Sequence, residues 1–221
     1  MPLSPSICSV ILSAGFSTRM GRDKALLPWP AVAEGTPAAN TFLGATIDLL
    51  QAYSDLVIVV AGKNAPHITP VVYEHGAFLT VNREPERGQF SSLQAGLQAV
   101  LNQGRDAAFI ALIDRPPALP RTVKTLREAF LYADSNVWAV VPEVMREEKG
   151  VHGHPILIGR EMMTAFLSAP VTSNAREVEH QYQEHIHYVP VDDPRLGINI
   201  DTPEDYARLS RNGMISSEKQ F

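Results

Sequence analysis

One cysteine in 221 residues, Cys8, leaves nothing to pair with, so a disulfide framework within the chain is excluded. Cys8 stands in an apolar run, where a thiol behaves as a small buried hydrophobe. It has no obvious histidine partner, so nucleophilic catalysis through it has no support. No apolar run approaches the roughly 18 residues of a spanning helix, and no basic region precedes the short apolar stretch at the N-terminus. The sequence therefore predicts no membrane span and no secretory signal, and a reducing, cytoplasmic setting is the expectation. Lys and Arg number 19 against 24 Asp and Glu, a net charge of −5 that argues against a nucleic-acid partner. A nucleotide stays possible, because its cations can be local. Internal repeats, charge blocks and linkers are missing too. The expectation is one domain over residues 1–221, with a core over 7–209 and a polar tail over 210–221.

What is present is an ordinary globular composition, 45% hydrophobic and 19% charged. A chain of this length buries about 70% of its unfolded surface. The stretch Ile11 to Leu27 organises it. An apolar run, Ile7 to Leu12, has strand composition and leads into a loop carrying Gly15, Gly21, Ser17 and Thr18. Arg19, Arg22 and Lys24 follow closely. Glycines let backbone N–H groups approach an anion and the cations neutralise it, so this strand-to-loop junction suits a phosphate ester. The spacings G-x-x-x-x-G-K-[ST] and G-x-G-x-x-G are both absent, so it is neither a P-loop nor a dinucleotide fingerprint.

Strands are expected at Ile7–Ser13, Asp55–Ala61, Phe78–Val81, Ala107–Ile113, Val137–Val141, His154–Ile158 and Ile186–Val191. Helices are expected through Phe42, Thr46, Leu49 and Tyr53, capped by Asn40 or Thr41; through Phe90, Leu93, Leu97, Val100 and Leu101; and through Leu119, Val123, Leu126 and Phe130. Further helices are expected near Met162–Leu167, Ala175–Glu184 and Pro203–Leu209. Trp29 to Ala39 reads as a loop, and Arg146 to Gly153 as a mobile one. Alternating strands and helices, with strands apolar on both faces, indicate an α/β sandwich.

Ligands of open α/β sheets bind at the carboxyl ends of strands. Asn82 with the Arg83–Gly88 loop, and Asp114 with Arg115, Pro116 and Pro117, occupy such ends. A carboxylate at a strand tip can hold Mg²⁺ against phosphate oxygens. Asp114 could equally cap a helix begun by Pro116. Thr202, Pro203 and Asp205 spell a capping-box-like helix start, and Asn199 and Asp201 just before it offer oxygen ligands. They complete a metal site with Asp114 only if the fold brings them together. His152 and His154 would share one face of a strand, with hydrogen-bonding roles preferred and His154 a candidate ligand contact. His180, His185 and His187 lie in a polar stretch and read as solvated.

Leu12-Ser13-Ala14-Gly15, Ser17, Arg19-Met20-Gly21, Lys24 and Leu26-Leu27 together resemble the opening signature of the MobA-like nucleotidyltransferases. The match continues at Asn82, Gly88, Ser91-Ser92-Leu93, Leu112-Ile113-Asp114, Gly153-His154-Pro155 and Asn199–Asp205, in order over nearly the whole chain. The resemblance implies a Rossmann-like three-layer α/β/α fold with a mostly parallel sheet. It implies transfer of NMP from a nucleoside triphosphate to a phosphate-bearing acceptor, with pyrophosphate released. Arg19, Lys24 and Asp114 would be the catalytic residues. Leu12, Ser13, Ala14, Gly15, Asn82, Ser91 and Ser92 would join Arg19 and Lys24 around the nucleotide. Mg²⁺ would be held by Asp114 with Asp201 or Asn199, and His154 would lie on the acceptor side. Molybdopterin is the expected acceptor and a molybdoenzyme the expected protein partner. Ala14 favours CTP, because the guanylyltransferases of the family usually carry glycine there. Arg115 departs from the Gln or Met usual at that place, and the loop after Trp29 is longer than usual. Other acceptors, such as a sugar phosphate or methylerythritol phosphate, GTP in place of CTP, and a non-catalytic nucleotide-binding maturation factor are the alternatives.

Overall fold

The computed structural model describes residues 5–31, 39–146, 149–170 and 172–211. In chain order the elements are β1 (Ile7–Ser13), β2 (Pro28–Trp29), β3 (Asn40–Thr41), α1 (Phe42–Gln51), β4 (Leu56–Ala61), α2 (Ala65–Glu74), β5 (Phe78–Val81), α3 (Gln89–Asn102) and β6 (Ala107–Leu112). There follow α4 (Pro120–Leu131), β7 (Ala139–Arg146), β8 (Lys149–His152), β9 (Ile156–Gly159), α5 (Arg160–Ser168), α6 (Ala175–Gln181), β10 (Ile186–Pro190) and α7 (Pro203–Arg211). Eight strands form one sheet in the order β10-β7-β9-β6-β1-β4-β5, with β8 paired to β7. Its left half is mixed, because β9 runs antiparallel to both β6 and β7; β1, β4, β5 and β6 are mutually parallel.

Strand alternation builds the two layers of core. Ile7 and Ile11 of β1 face one side, with Phe42, Ile47, Ile68, Val123 and Tyr206 from α1, α2, α4 and α7. Cys8, Val10 and Leu12 face the other, with Leu93, Leu97, Met163, Phe166 and Val178 from α3, α5 and α6. Each fully buried side chain of this size contributes about 1.5–3 kcal/mol. Burial pushes the Cys8 thiol up to about 12, so it stays protonated, as a small core residue should. The result is the three-layer arrangement with a mostly parallel sheet that the sequence predicts.

Four differences from the sequence reading have physical causes. Helix α2 is not foreseen, because Pro66 and Pro70 mark it as a loop; Pro66 sits in the first turn, and Ile68 and Val72 bury the helix regardless of Pro70. Arg146–Gly153, expected to be a mobile loop, instead lies in a hairpin of β7 and β8, with 147 and 148 outside the described residues. Its polar composition hides the strands, and Arg146 Nη2 ties it to the carbonyl of Leu196 at 2.8 Å. His185 is not simply solvated: it stacks on Trp138 at 3.8 Å, with Nδ1 2.7 Å from the carbonyl of Asn136. The loop expected at Trp29–Ala39 begins and ends in the antiparallel pair β2 and β3; positions 32–38 of that loop and 212–221 of the polar tail lie outside the described residues.

Asp193 carries no sequence signal yet anchors α4. Its buried carboxylate accepts from the Leu119 N–H and the Thr122 hydroxyl, each at 2.8 Å. Asp193→Ala strands a buried helix N–H and is expected to cost about 2–4 kcal/mol in denaturant unfolding, with Asp193→Asn losing less. A cost below about 1 kcal/mol for the alanine variant would show that this bond does not hold the helix start.

Candidate active site

The carboxyl ends of β1, β4, β5 and β6 lie along one edge of the sheet, and the loops that leave β1, β5 and β6 enclose a cavity of about 330 Å³. Leu12, Ala14, Gly15, Lys24 and Ser92, five of the residues expected around a nucleotide, line it, together with the expected metal ligand Asp114. Ser17 of the opening loop and Leu112 line it as well, as do Phe16, Pro85 and Gln89, which the sequence reading did not single out.

The opening loop is shaped by its own side chains. Ser17 has a φ of 48°, rare for a residue with a Cβ, and its hydroxyl accepts from the Lys24 N–H at 3.3 Å. A 3₁₀ turn over Lys24–Leu26 follows, with the Asp23 side chain capping it at the Ala25 N–H. Asn64, just past β4, holds this turn from outside: its Nδ2 donates to the Ser13 carbonyl at 2.9 Å and to Asp23 Oδ2 at 2.7 Å. The rule that sites gather at strand ends could have pointed to Asn64, since β4 ends just before it. Gly62 permits this approach, because a Cβ there would stand 2.8 Å from the Ala14 carbonyl oxygen. Gly15 differs: no atom lies within 4 Å of a Cβ built on it, so the space beside it belongs to the cavity.

Two cations meet one carboxylate oxygen. Lys24 Nζ lies 2.9 Å and Arg19 Nη2 3.1 Å from Asp201 Oδ1. The hydrogen bond from Lys24, then the charges of Lys24 and Arg19, hold the Asp201 carboxyl below the usual carboxylate range. Lys24 is largely enclosed, whereas the Arg19 side chain is 70% exposed. The third cation of the loop, Arg22, lies over the Tyr206 ring instead. Asp201 reaches the cations because the Ile200 N–H donates to the Asp114 carbonyl at 2.8 Å, which lays the Asn199–Asp201 segment against the end of β6. The fold therefore brings together the two segments that were expected to share a metal. Asn199 is exposed and outside the cavity lining.

Asp114 does not cap a helix. The next helix, α4, starts at Pro120 and is served by Asp193. One oxygen of Asp114, Oδ1, is buried with no hydrogen-bond partner. A buried carboxylate oxygen without a donor fits a divalent cation. Among the described residues no three His, Cys, Asp or Glu groups form a ready cage, so such a cation would take its other ligands from a bound phosphate. Thr202 and Asp205 form the expected reciprocal cap: the Thr202 N–H donates to Asp205 Oδ2 at 3.0 Å and the Asp205 N–H to Thr202 Oγ1 at 3.3 Å.

The remaining expected residues are placed as follows. Asn82 is buried behind the cavity wall. Its Nδ2 donates to the hydroxyls of Ser91 and Ser92, and its Oδ1 accepts from the Glu84 N–H. It ties the Arg83–Gly88 loop to the start of α3, and the left-handed φ of 91° at Gly88 turns the chain between them. Ser91 faces that loop, and Ser13 lies behind the lining with its hydroxyl unpartnered. His152 ends β8 and sits 3.0 Å from Glu143, whereas His154 lies beyond the strand, so the two do not share a strand face. His154 borders a separate small crevice with Arg115 and Pro116, and its Nδ1 is buried without a partner. Burial, helped by the Arg115 charge, pushes the imidazole down to about 3. The unfolded chain therefore takes up a proton here between about pH 6.5 and 3 that the folded chain refuses, and folding stability falls as pH drops through that window. The melting temperature of His154→Gln should decline less steeply than wild type between about pH 6.5 and 4.5; parallel curves would contradict a neutral buried imidazole.

Comparison with known proteins gives the family and the fold. A family profile described as a MobA-like NTP transferase domain matches residues 9–186. The molybdenum cofactor cytidylyltransferase of Escherichia coli is 25% identical over 204 residues, covering 91% of this chain and 94% of that one. The molybdenum cofactor guanylyltransferase of Xanthomonas euvesicatoria is 26% identical over 215 residues, covering 95% and 97%. Among solved structures, Rv0371c of Mycobacterium tuberculosis superposes with a TM-score of 0.76 at 25% identity, over 95% of this chain and 99% of that one, and it has also been seen in complex with manganese. No helix of the described residues is long and apolar enough to cross a membrane.

Proposed function

We propose, since this chain belongs to the MobA-like NTP transferase domain family, that it moves CMP from CTP onto the phosphate of molybdopterin and releases pyrophosphate. The observation that carries the reading is the meeting of Lys24 and Arg19 on one oxygen of Asp201, with Lys24 and Asp114 lining one cavity and one Asp114 oxygen buried without a partner. In this pairing the Asp201 oxygen stands in for a phosphate oxygen. Lys24 and Arg19 would transfer to the triphosphate, and Asp201 would turn toward Asp114.

An oxygen of the acceptor phosphate attacks the α-phosphorus, a new P–O bond forms, the α–β bond breaks, and pyrophosphate leaves with the bonding pair. Such a transfer needs alignment and charge neutralisation more than proton transfer. Lys24 neutralises the leaving phosphates and Gly15 lets them approach the backbone. Asp114 with the Asn199–Asp201 segment would hold a divalent cation, Mg²⁺ in this reading, which when bound would add positive charge to neutralise the phosphates. Leu12, Ala14 and Ser92 border the nucleoside, while Asn82 and Ser91 act by shaping that wall. Residues 7–209 form the catalytic unit. It works in the cytoplasm, and the product passes to a molybdoenzyme.

The choice of base rests on Ala14. A Cβ on Gly62 would lie 3.3 Å from the Ala14 methyl and 3.2 Å from Pro85 Cβ, so that methyl lies close to the Pro85 wall of the cavity. It narrows the space toward a pyrimidine. One methyl discriminates by about 1–3 kcal/mol, so competition between CTP and GTP for molybdopterin should favour CTP by about 10- to 100-fold. Equal or better use of GTP removes the cytidylyl assignment. Absence of pyrophosphate release with either nucleotide, divalent metal and molybdopterin together removes the proposed reaction.

A further inference from the structure

We propose that Arg115 is the receptor for the acceptor's phosphate, a second anion subsite in a crevice that adjoins the cavity lined by Lys24 and Asp114. This rests on the nucleotidyl-transfer reading of the cavity and adds to it the group that selects an anionic acceptor.

The guanidinium of Arg115 is partly buried, yet it has no hydrogen bond or ion pair with any other side chain or carbonyl among the described residues. Its Nε is buried without a partner. Taking a cation from water without giving it a counterion is costly, and the cost is recovered when an anion binds. Two more unpartnered atoms belong to neighbouring residues: His154 lines the same crevice and has its Nδ1 unpartnered, and Asp114, the preceding residue in the chain, has its Oδ1 unpartnered. Leu112 is common to the wall of this crevice and that of the main cavity, so the two adjoin at the end of β6. The crevice itself, about 10 Å³, holds no more than a water. The phosphate therefore rests at its mouth, where the fork of Arg115 can take two of its oxygens.

The arrangement separates the two anions of the reaction. The leaving phosphates meet Lys24 and Arg19, and the attacking phosphate meets Arg115. A phosphate monoester and a triphosphate repel each other, and a fixed guanidinium beside the attacking group offsets that repulsion without a proton being moved. An acceptor with an alcohol in place of phosphate would leave Arg115 unpaired and is disfavoured.

The test is calorimetric titration of inorganic phosphate into the full chain saturated with Mg²⁺ and α,β-methylene-CTP, for wild type, Arg115→Lys and Arg115→Gln. Wild type should bind phosphate alongside the nucleotide. The affinity should fall about threefold in the lysine variant, which keeps charge but loses the fork, and at least about tenfold in the glutamine variant. Affinity for the nucleotide alone should stay within about twofold. With molybdopterin as acceptor, KM for acceptor should rise in the same order while kcat changes less. Phosphate affinity unchanged in both variants, or phosphate that competes with the nucleotide, or a parallel loss of nucleotide affinity, overturns the assignment. Phosphate binding that depends on Arg115 in a protein that does not turn over molybdopterin supports the subsite and removes only the choice of acceptor.

Discussion

Asp114→Asn is expected to lower pyrophosphate release by about 10³-fold, equivalent to roughly 4 kcal/mol of barrier, while the melting temperature stays within a few degrees of wild type. The substitution keeps shape and removes charge. The Asp114 carboxylate accepts no hydrogen bond from the described residues, and one of its oxygens is buried without a donor. The fold therefore has little to lose at this position and a cation has much. Asp193 does the capping that Asp114 could have done, which separates the two roles at the level of single residues. Steady-state release measured across a Mg²⁺ titration, together with thermal unfolding, distinguishes the outcomes. Lost stability with retained turnover would return Asp114 to a structural role.

Lys24→Ala should reduce turnover by about 10²- to 10³-fold, the usual effect of removing one well-placed donor to a developing charge. The loss should be larger than for Arg19→Ala. Lys24 is enclosed within the cavity wall, where a charge acts through little water, whereas Arg19 is mostly exposed and screened. Neither variant should unfold, because Asp201 keeps the other cation as a partner. Wild-type pyrophosphate release by both variants at saturating nucleotide would falsify the phosphate role of the loop. Asp201→Asn is informative beside them. Removing the internal carboxylate frees both cations, so metal-free triphosphate should bind more tightly than to wild type even as metal-dependent turnover falls.

Much of this was legible in the sequence because it is local. Strand alternation follows from the two-residue period of the backbone, and Ile7 to Leu12 sort onto two core faces as that period requires. The cap at Thr202 and Asp205 joins residues three positions apart and was readable for the same reason. The opening loop was readable because glycine, hydroxyl and cation sit close together in the chain.

Tertiary structure decided whatever depends on residues far apart in the chain. Lys24 and Asp201 are 177 positions apart, and only the parallel sheet with α7 laid beside it makes them partners. The choice between metal and cap at Asp114 was open from spacing alone. The cap reading was removed by Asp193, 74 positions from the Leu119 N–H that it holds. Asn82 carried the chemistry of a ligand contact in the sequence, yet its bonds to Ser91, Ser92 and Glu84 turn it inward. Arg115 shows the converse: the sequence marks it only as a departure from the usual residue at its place, and its proposed role emerges when the fold leaves it half-buried with no counterion among the described residues. Sequence determines which residues are able to bind an anion or a cation; burial and the supply of competing partners, which are properties of the folded chain, determine which of them are free to do so.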